Sequence, residues 1–462
     1  MTRRDLNVVL ISTYELGRQP FGLASPAAWL REAGAHVRCL DLAVEGLDRR
    51  AIAAADLIGF YVPMHTATRL AAGFVSRVRQ INPAAHLCFF GLYAPVNEAY
   101  LRELGADTIL GGEFEAGLVA LATRLAQNGS APAAQPEPVI SLARLPFLVP
   151  DRSGLPDPQR YAHVVMPDGA RLVAGSTEAS RGCKHRCRHC PIVPVYGGRF
   201  FVVPPEVVLD DIRQQVERGV QHITFGDPDF FNGPVHAMRI IAALHARFPD
   251  LTYDVTIKVE HLLRHADLLP RLHETGCLFV TSAVEAVDDR ILAIFDKRHT
   301  RNDFIRTVAL FAEHGLVLNP TFVAFNPWIS LEGYRDLLRT IHDLELVENV
   351  SPIQYAIRLL IPAGSRLLEL PFVQEFVGEF DPVALAYPWT HPDPRVDRLQ
   401  AAMLDLVGTS DGNTLDRAAL FARLWDMTDE AIGRSVREPL TLATANPGRN
   451  EPIPHLSEPW YC

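Results

Sequence analysis

Apolar runs of strand length recur through the first 127 residues, each followed by a stretch that reads as helix. Residues 6 to 12 (Leu-Asn-Val-Val-Leu-Ile-Ser) are nearly continuous in apolar side chains, the mark of a strand buried on both faces. A helix is predicted over 26–33 and a second strand over 36–42. Two more strands, 56–62 and 86–90, are separated by a helix over 66–81. A fifth strand, 107–110, runs into Gly111-Gly112-Glu113 and a helix ending near Gln127. Alternation of this kind predicts an α/β unit over 1–127, a doubly wound parallel sheet of flavodoxin or Rossmann type. Such sheets bind ligands beyond the carboxyl ends of their strands.

The pattern lapses over 128–160. Asn128 to Pro138 is rich in proline and small residues and predicts an extended surface linker. Residues 163–176, with the turn Pro167-Asp168-Gly169, read as a hairpin. Strand–helix alternation then resumes, with strands expected at 172–177, 222–226, 252–257, 278–283, 317–324 and 353–360. Six repeats predict an open, partial (β/α)6 barrel over 161–380, with its chemistry at the carboxyl ends of the strands. A small helical region follows over 381–445, clearest at 397–406 and 415–424. The last stretch, 446–462, is proline-rich and aperiodic and is expected to be a flexible tail.

Size and charge narrow the classes of function. A chain of 462 residues with 48 % hydrophobic content suffices for two or three domains with substantial cores. A net charge of −10 argues against a nucleic-acid partner, which demands a basic face. No apolar run reaches membrane-spanning length, and the opening Met-Thr-Arg-Arg-Asp-Leu-Asn lacks the apolar core of a secretion signal. The expectation is a cytoplasmic protein with no membrane partner. Seven scattered cysteines do not make a disulfide framework, and Cys39, Cys88 and Cys277 lie in apolar runs as buried small hydrophobes.

Cys183, Cys187 and Cys190 stand apart from these, in Ser-Arg-Gly-Cys-Lys-His-Arg-Cys-Arg-His-Cys-Pro. Spacings of this size fit a zinc site completed by His185 or His189, a set of redox thiols, or a 4Fe–4S cluster held by three thiolates. Clusters normally take four protein ligands, so a three-cysteine cluster keeps one iron open to another molecule. A strand before the triplet and an α/β pattern after it favour the cluster. In these features the chain resembles the radical S-adenosylmethionine (SAM) superfamily. The resemblance implies that the open iron chelates SAM, and that an electron from the cluster cleaves it to a carbon radical that modifies a small-molecule substrate. It also implies an electron donor such as flavodoxin or ferredoxin. One departure is His189, where the superfamily usually has an aromatic residue.

The same resemblance nominates SAM-binding residues. Gly226 and Asp227, in Gly-Asp-Pro-Asp after the second barrel strand, occupy the place of a Gly-Gly-Glu stretch whose carbonyls hold the SAM amino group. The other reading of that stretch is a strand-to-helix turn capped by aspartate. Lys258 and Glu260 follow the third strand. Glu285 ends the fourth, where a carboxylate is expensive to bury without a partner. Arg358, Gly364 and Ser365 resemble the stretch bordering the adenine. Lys297-Arg298 reads equally as a solvated pair or as a holder of the SAM carboxylate, and Arg199 as a surface residue or a post-cluster base.

A doubly wound domain ahead of the barrel resembles the cobalamin-dependent branch of the superfamily. Gly111, Gly112 and Glu113 then fall where a corrinoid would lie, glycine allowing close approach of backbone to a planar ligand. Residues 59–66 fall on the same side. The Asp-x-His-x-x-Gly stretch of the wider cobalamin-binding fold is absent, and a relic domain without corrinoid is the alternative. With cobalamin the implied outcome is methyl transfer to an unactivated carbon or phosphorus. The chain finishes Pro459-Trp460-Tyr461-Cys462, which resembles the family with a Cys-Sec-Ala-Glu-Pro or Cys-Cys-Ala-Glu-Pro ending. On that resemblance Cys462 is a candidate catalytic thiol, and the natural product is expected to continue through selenocysteine. A cobalamin-independent alternative moves the aminocarboxypropyl group of SAM to arsenic, sulfur or selenium presented by this tail. A rival of another class is a non-catalytic zinc or iron–sulfur protein.

Overall fold

Strand β1 (Asn7–Ser12) alternates between two apolar layers: Val8 and Leu10 pack on one side of the sheet, Val9 and Ile11 on the other. This is why its sequence is apolar throughout rather than alternating. The computed structural model describes residues 5–128, 136–409, 416–434 and 452–458. Within them β1, β2 (His36–Asp41), β3 (Leu57–Tyr61), β4 (His86–Phe90), β5 (Thr108–Gly112) and β6 (Ile140–Ser141) form a six-stranded parallel sheet ordered β2-β1-β3-β4-β5-β6. Helices Phe21–Glu32 and Glu115–Asn128 cover one face, and His65–Ile81 the other. The order reverses between β1 and β3, and ligand crevices of doubly wound sheets open at such a switch point.

Strand β6 lies inside the predicted linker. Gly111 N donates to Val139 O at 2.7 Å and Glu113 N to Ser141 O at 2.8 Å, so the connector adds an edge strand to the sheet it leaves. Two residues are too few to show periodicity. Farther along, Arg152 is buried and donates to both carboxylate oxygens of Asp211 at 2.6 and 2.9 Å. The connector is therefore packed as well as extended.

The second sheet contains the parallel strands β8 (Arg171–Thr177), β11 (His222–Phe225), β12 (Thr252–Thr256), β13 (Cys277–Glu285) and β14 (Leu318–Phe322). Strand β7 (His163–Val165) pairs antiparallel with β8, forming the predicted hairpin. Strands β9 (Ser180–Gly182) and β10 (Phe200–Val202) make a small antiparallel ribbon. The sixth barrel strand is reduced to one parallel bridge between Phe325 and Arg358. Pro352 opens a helical turn reaching Tyr355, because its fixed φ suits a first turn, and this takes up the start of the expected strand.

The tail also departs from its expectation. Strand β15 (His455–Leu456) pairs antiparallel with β7 and extends the barrel sheet to seven strands. Ser457 N donates to His163 O at 2.8 Å, and Tyr14 of the first unit donates to Glu458 at 2.8 Å. Helices Pro394–Thr409 and Arg417–Ile432 pack outside the barrel. Arg335 donates to Asp429 at 2.6 Å and lies 3.2 Å from the centre of the Trp425 ring system, fastening the second of these. Cys39, Cys88 and Cys277 are buried free thiols. Among the described residues no helix is long and apolar enough to cross a membrane.

Candidate functional site

Gly182, with φ +73°, turns the chain from β9 into Cys183. A Cβ there would lie 2.4 Å from the Tyr196 ring and 2.5 Å from Arg199 O, so only glycine fits. Cys183 and Cys187 are buried and Cys190 is half-buried; all three thiols are free. They line one cavity of about 1520 Å3, which also reaches the carboxyl ends of β1, β3 and β5. Burial pushes the Cys183 thiol up to about 11 and that of Cys190 to about 12, so bare thiols here stay protonated at neutral pH. A metal centre supplies the charge that favours thiolates. Lys258 Nζ lies 3.7 Å from Cys187 Sγ, and Lys297 faces the same cavity. Three free thiols on one wall, with two ammonium groups beside them, fit an anionic iron–sulfur cluster.

The loop is held from several sides. Arg188 N donates to Phe295 O at 2.9 Å, and its guanidinium donates to Ala293 O and Ile294 O at the end of the Asp289–Phe295 helix. Ser365 Oγ donates to Arg188 O at 3.2 Å, and Arg366 to Arg186 O at 3.1 Å.

Glu285 ends β13 at a register shift, with φ +70°. Its Oε1 lies 3.2 Å from Lys297 Nζ and 3.1 Å from His189 Nε2. Burial alone would raise its pKa, but the Lys297 ammonium and then His189 hold it down at about 2. His189 is thus tied to a carboxylate and packs against Phe295, with ring centres 4.6 Å apart. Lys297 is buried, whereas Arg298 and Arg199 are exposed. Gly226 and Asp227 line the cavity. Asp227 accepts from Ala179 N at 2.8 Å and from Ser180 Oγ at 2.5 Å, and burial raises it to about 7. Both of its oxygens brace the chain entering the cysteine loop.

Other nominated residues also have protein partners. Lys258 lines the cavity, but Glu260 pairs with Arg264 at 2.8 Å and approaches His185 at 3.6 Å. Arg358 reaches the cavity wall, yet its guanidinium donates to Asp397 at 2.7 Å and Trp389 O at 2.6 Å. Gly364, at φ +75°, packs against Pro194 and Val96, and Ser365 holds the cysteine loop. Gly111 and Gly112 both lie close against neighbouring protein atoms, and Gly112 also lines the cavity. A Cβ on Gly111 would lie 2.1 Å from Pro95, and one on Gly112 2.2 Å from Ser141 O. Glu113 is fully buried, accepts from Tyr196 at 3.0 Å, and is raised to about 7 by burial. Cys462 lies outside the described residues.

A group that the sequence did not single out joins the two sheets. Arg181, on β9, lies 2.7 Å from Glu115 and 3.4 Å from Glu113 of the first unit, and 2.8 Å from Glu178. Glu15, beyond β1, faces the cavity and is raised to about 8, first by burial and then by the charge of Glu178. The available signal was Glu178 and Arg181 flanking the start of the cysteine motif, charged residues in a strand-like setting.

Residues 177–342 match the model of the Radical SAM superfamily. The chain is 25% identical over 325 residues to the hopanoid C-3 methylase of Methylococcus capsulatus, covering 65% of this chain and 61% of that one. It is 26% identical over 213 residues to the tRNA-2-methylthio-N(6)-dimethylallyladenosine synthase of Desulfosudis oleivorans, 44% of each. It therefore spans about half the length of these curated relatives. Among solved structures, the radical SAM methyltransferase TsrM of Kitasatospora setae, with tryptophan substrate and the SAM analogue aza-SAM bound, superposes with a TM-score of 0.65 at 16% identity. That match covers 93% of this chain and 95% of TsrM. The cobalamin-dependent SAM radical enzyme OxsB, with aqua-cobalamin and SAM bound, gives a TM-score of 0.66 at 14% identity, covering 92% and 72%. These likenesses are of fold: a doubly wound sheet, then a partial barrel with a helical region after it.

Proposed function

We propose that this chain is a cobalamin-dependent radical SAM enzyme that methylates a small molecule. The observation that carries the reading is a single cavity shared by the cysteine loop and the switch-point edge of the first sheet. Its volume of about 1520 Å3 exceeds the roughly 300–1,000 Å3 of a site for one small ligand, leaving room for a corrinoid and SAM together. When bound, the cluster would supply the electron that cleaves SAM and the corrinoid would carry the methyl group.

Cys183, Cys187 and Cys190 would hold the cluster. Glu285 and Lys297 offer opposite charges, about 3 Å apart, to the ammonium and carboxylate of SAM. Leu16, Tyr61, Met64 and Phe114 form an apolar wall where the corrin ring would lie. The hopanoid methylase, TsrM and OxsB support this assignment by their named reactions and ligands. An external donor such as flavodoxin or ferredoxin would supply the reducing electron.

Anaerobic reconstitution tests the proposal. The expected protein, once reduced with dithionite, shows a 4Fe–4S signal in electron paramagnetic resonance that shifts on adding SAM, and before reduction a stoichiometric corrinoid spectrum. The signal is lost in Cys187→Ala. With dithionite it should release SAM-derived cleavage products. Methylthioadenosine from corrinoid-free protein would overturn methyl transfer in favour of aminocarboxypropyl transfer. Zinc on the three cysteines without SAM cleavage would overturn the whole reading.

A further inference from the structure

We propose that His185, Asp229 and His261 form a separate site for one divalent zinc ion, which fastens the cysteine loop to the barrel. The three residues come from separate segments. His185 lies between Cys183 and Cys187, Asp229 follows β11, and His261 belongs to the Val259–Arg264 helix after β12. One ligand atom from each lies within 4.8 Å of the others. The site is buried: the His185, Asp229 and His261 side chains are 6%, 0% and 0% exposed, and one water would complete the four ligands of zinc.

The contacts have the lengths of hydrogen bonds without their geometry. Asp229 Oδ2 stands 3.2 Å from His185 Nε2 and 2.7 Å from His261 Nδ1. All three atoms nevertheless lack a hydrogen-bond partner, as does His261 Nε2. Orphaned polar atoms at this depth are costly, and a native structure needs a reason for them. A cation among the three converging lone pairs, of His185 Nε2, Asp229 Oδ2 and His261 Nδ1, satisfies those three atoms together. Ligand atoms on tetrahedral zinc lie roughly 3.3 Å apart, given metal–ligand distances of about 2.0–2.2 Å. The observed separations, from 2.7 Å up to the 4.8 Å limit, bracket that value.

The surroundings agree with this role. Asp229 Oδ1 accepts from Phe231 N at 3.2 Å, which leaves Oδ2 for a metal. Glu260 Oε2 stands 3.6 Å from His185 Nδ1, on the other edge of the ring. An outer carboxylate on the second nitrogen is the usual way to orient a metal-bound imidazole. Two neutral imidazoles and one carboxylate suit a borderline divalent ion.

This site uses no thiol and does not depend on the radical SAM reading, so zinc and iron are separate readouts. Metal analysis of the anaerobically purified full chain should give one zinc per chain in addition to cluster iron. Replacing Cys183, Cys187 and Cys190 together by alanine should remove the iron and leave the zinc. His261→Gln should abolish zinc uptake, and Glu260→Gln should weaken it about 10–100-fold in a titration against a chromogenic chelator. X-ray absorption at the zinc edge of the unmodified chain keeps the test valid if a variant misfolds. It should show nitrogen and oxygen neighbours without sulfur. A chain that takes up no zinc from excess, a sulfur shell, or zinc that disappears with the cysteines would each overturn the proposal.

Discussion

Gly112 shows how one side chain, by its absence, holds a sheet edge together. Its φ of +69° and the 2.2 Å approach of Ser141 O leave no room for Cβ. Gly112→Ala should therefore destabilise by more than about 1 kcal/mol, the ordinary cost of a left-handed alanine, because a backbone clash is added. Chemical denaturation would measure it. Glu15 makes a prediction of opposite character. Its pKa is raised from 4.5 to about 8, chiefly by burial. The folded chain thus holds a proton that the unfolded chain has already released. Between pH 4.5 and 8 the native state binds more protons, so this group's contribution to stability falls as pH rises through that window and levels off above it. Glu15→Gln should raise the melting temperature at pH 8 relative to the unmodified chain, with little difference near pH 4.5. An equal shift at both values would refute the assignment.

At the level of elements, β13 decides more than its sequence shows. Ser-Ala-Val-Glu reads as the end of an apolar strand, which places Glu285 near the chemistry. The register shift between Ala283 and Glu285, with positive φ at the latter, aims its carboxylate at Lys297 and His189. Bulges re-aim side chains in this way, and they arise from pairing with β14 rather than from local composition. The helix expected at 415–424 runs Arg417–Ile432, and neither its second half nor its docking was legible. Arg335 and Asp429, 94 residues apart, form a buried pair. Arg335→Met should destabilise by about 3–5 kcal/mol, because it strands Asp429 without a partner. Denaturant unfolding with limited proteolysis checks this, and cleavage should begin in that helix.

For the whole molecule, the question is what holds two sheets around one cavity. Arg152, from the connecting segment, donates to Asp211 and Ser176 O on the barrel side and to Gln19 of the first unit. With both partners 1% exposed, Arg152→Met should cost about 3–5 kcal/mol and leave Asp211 buried and unpaired. If it also loosens the junction, corrinoid uptake should fall while cluster iron stays constant. Equal loss of both would point to global unfolding instead. Arg181 acts at the same junction, with three glutamates within 3.4 Å of its guanidinium.

The order of strands and helices, the cysteine motif and the position of Glu285 were present in the sequence. Each depends on local periodicity or on a ligand type repeated at short spacing. The edge strands β6 and β15 were not legible, since two-residue strands carry no pattern and exist only because a neighbouring strand offers free hydrogen-bonding groups. The nominated roles of Arg358, Gly364 and Ser365 rested on position along the chain. Tertiary packing also gave them Asp397, Pro194 and Arg188 as neighbours, which position along the chain did not show. The cavity likewise belongs to no segment, because its walls come from the ends of strands in two sheets. Sequence periodicity determines which face of an element is buried, whereas only packing between distant segments decides which charged groups meet inside.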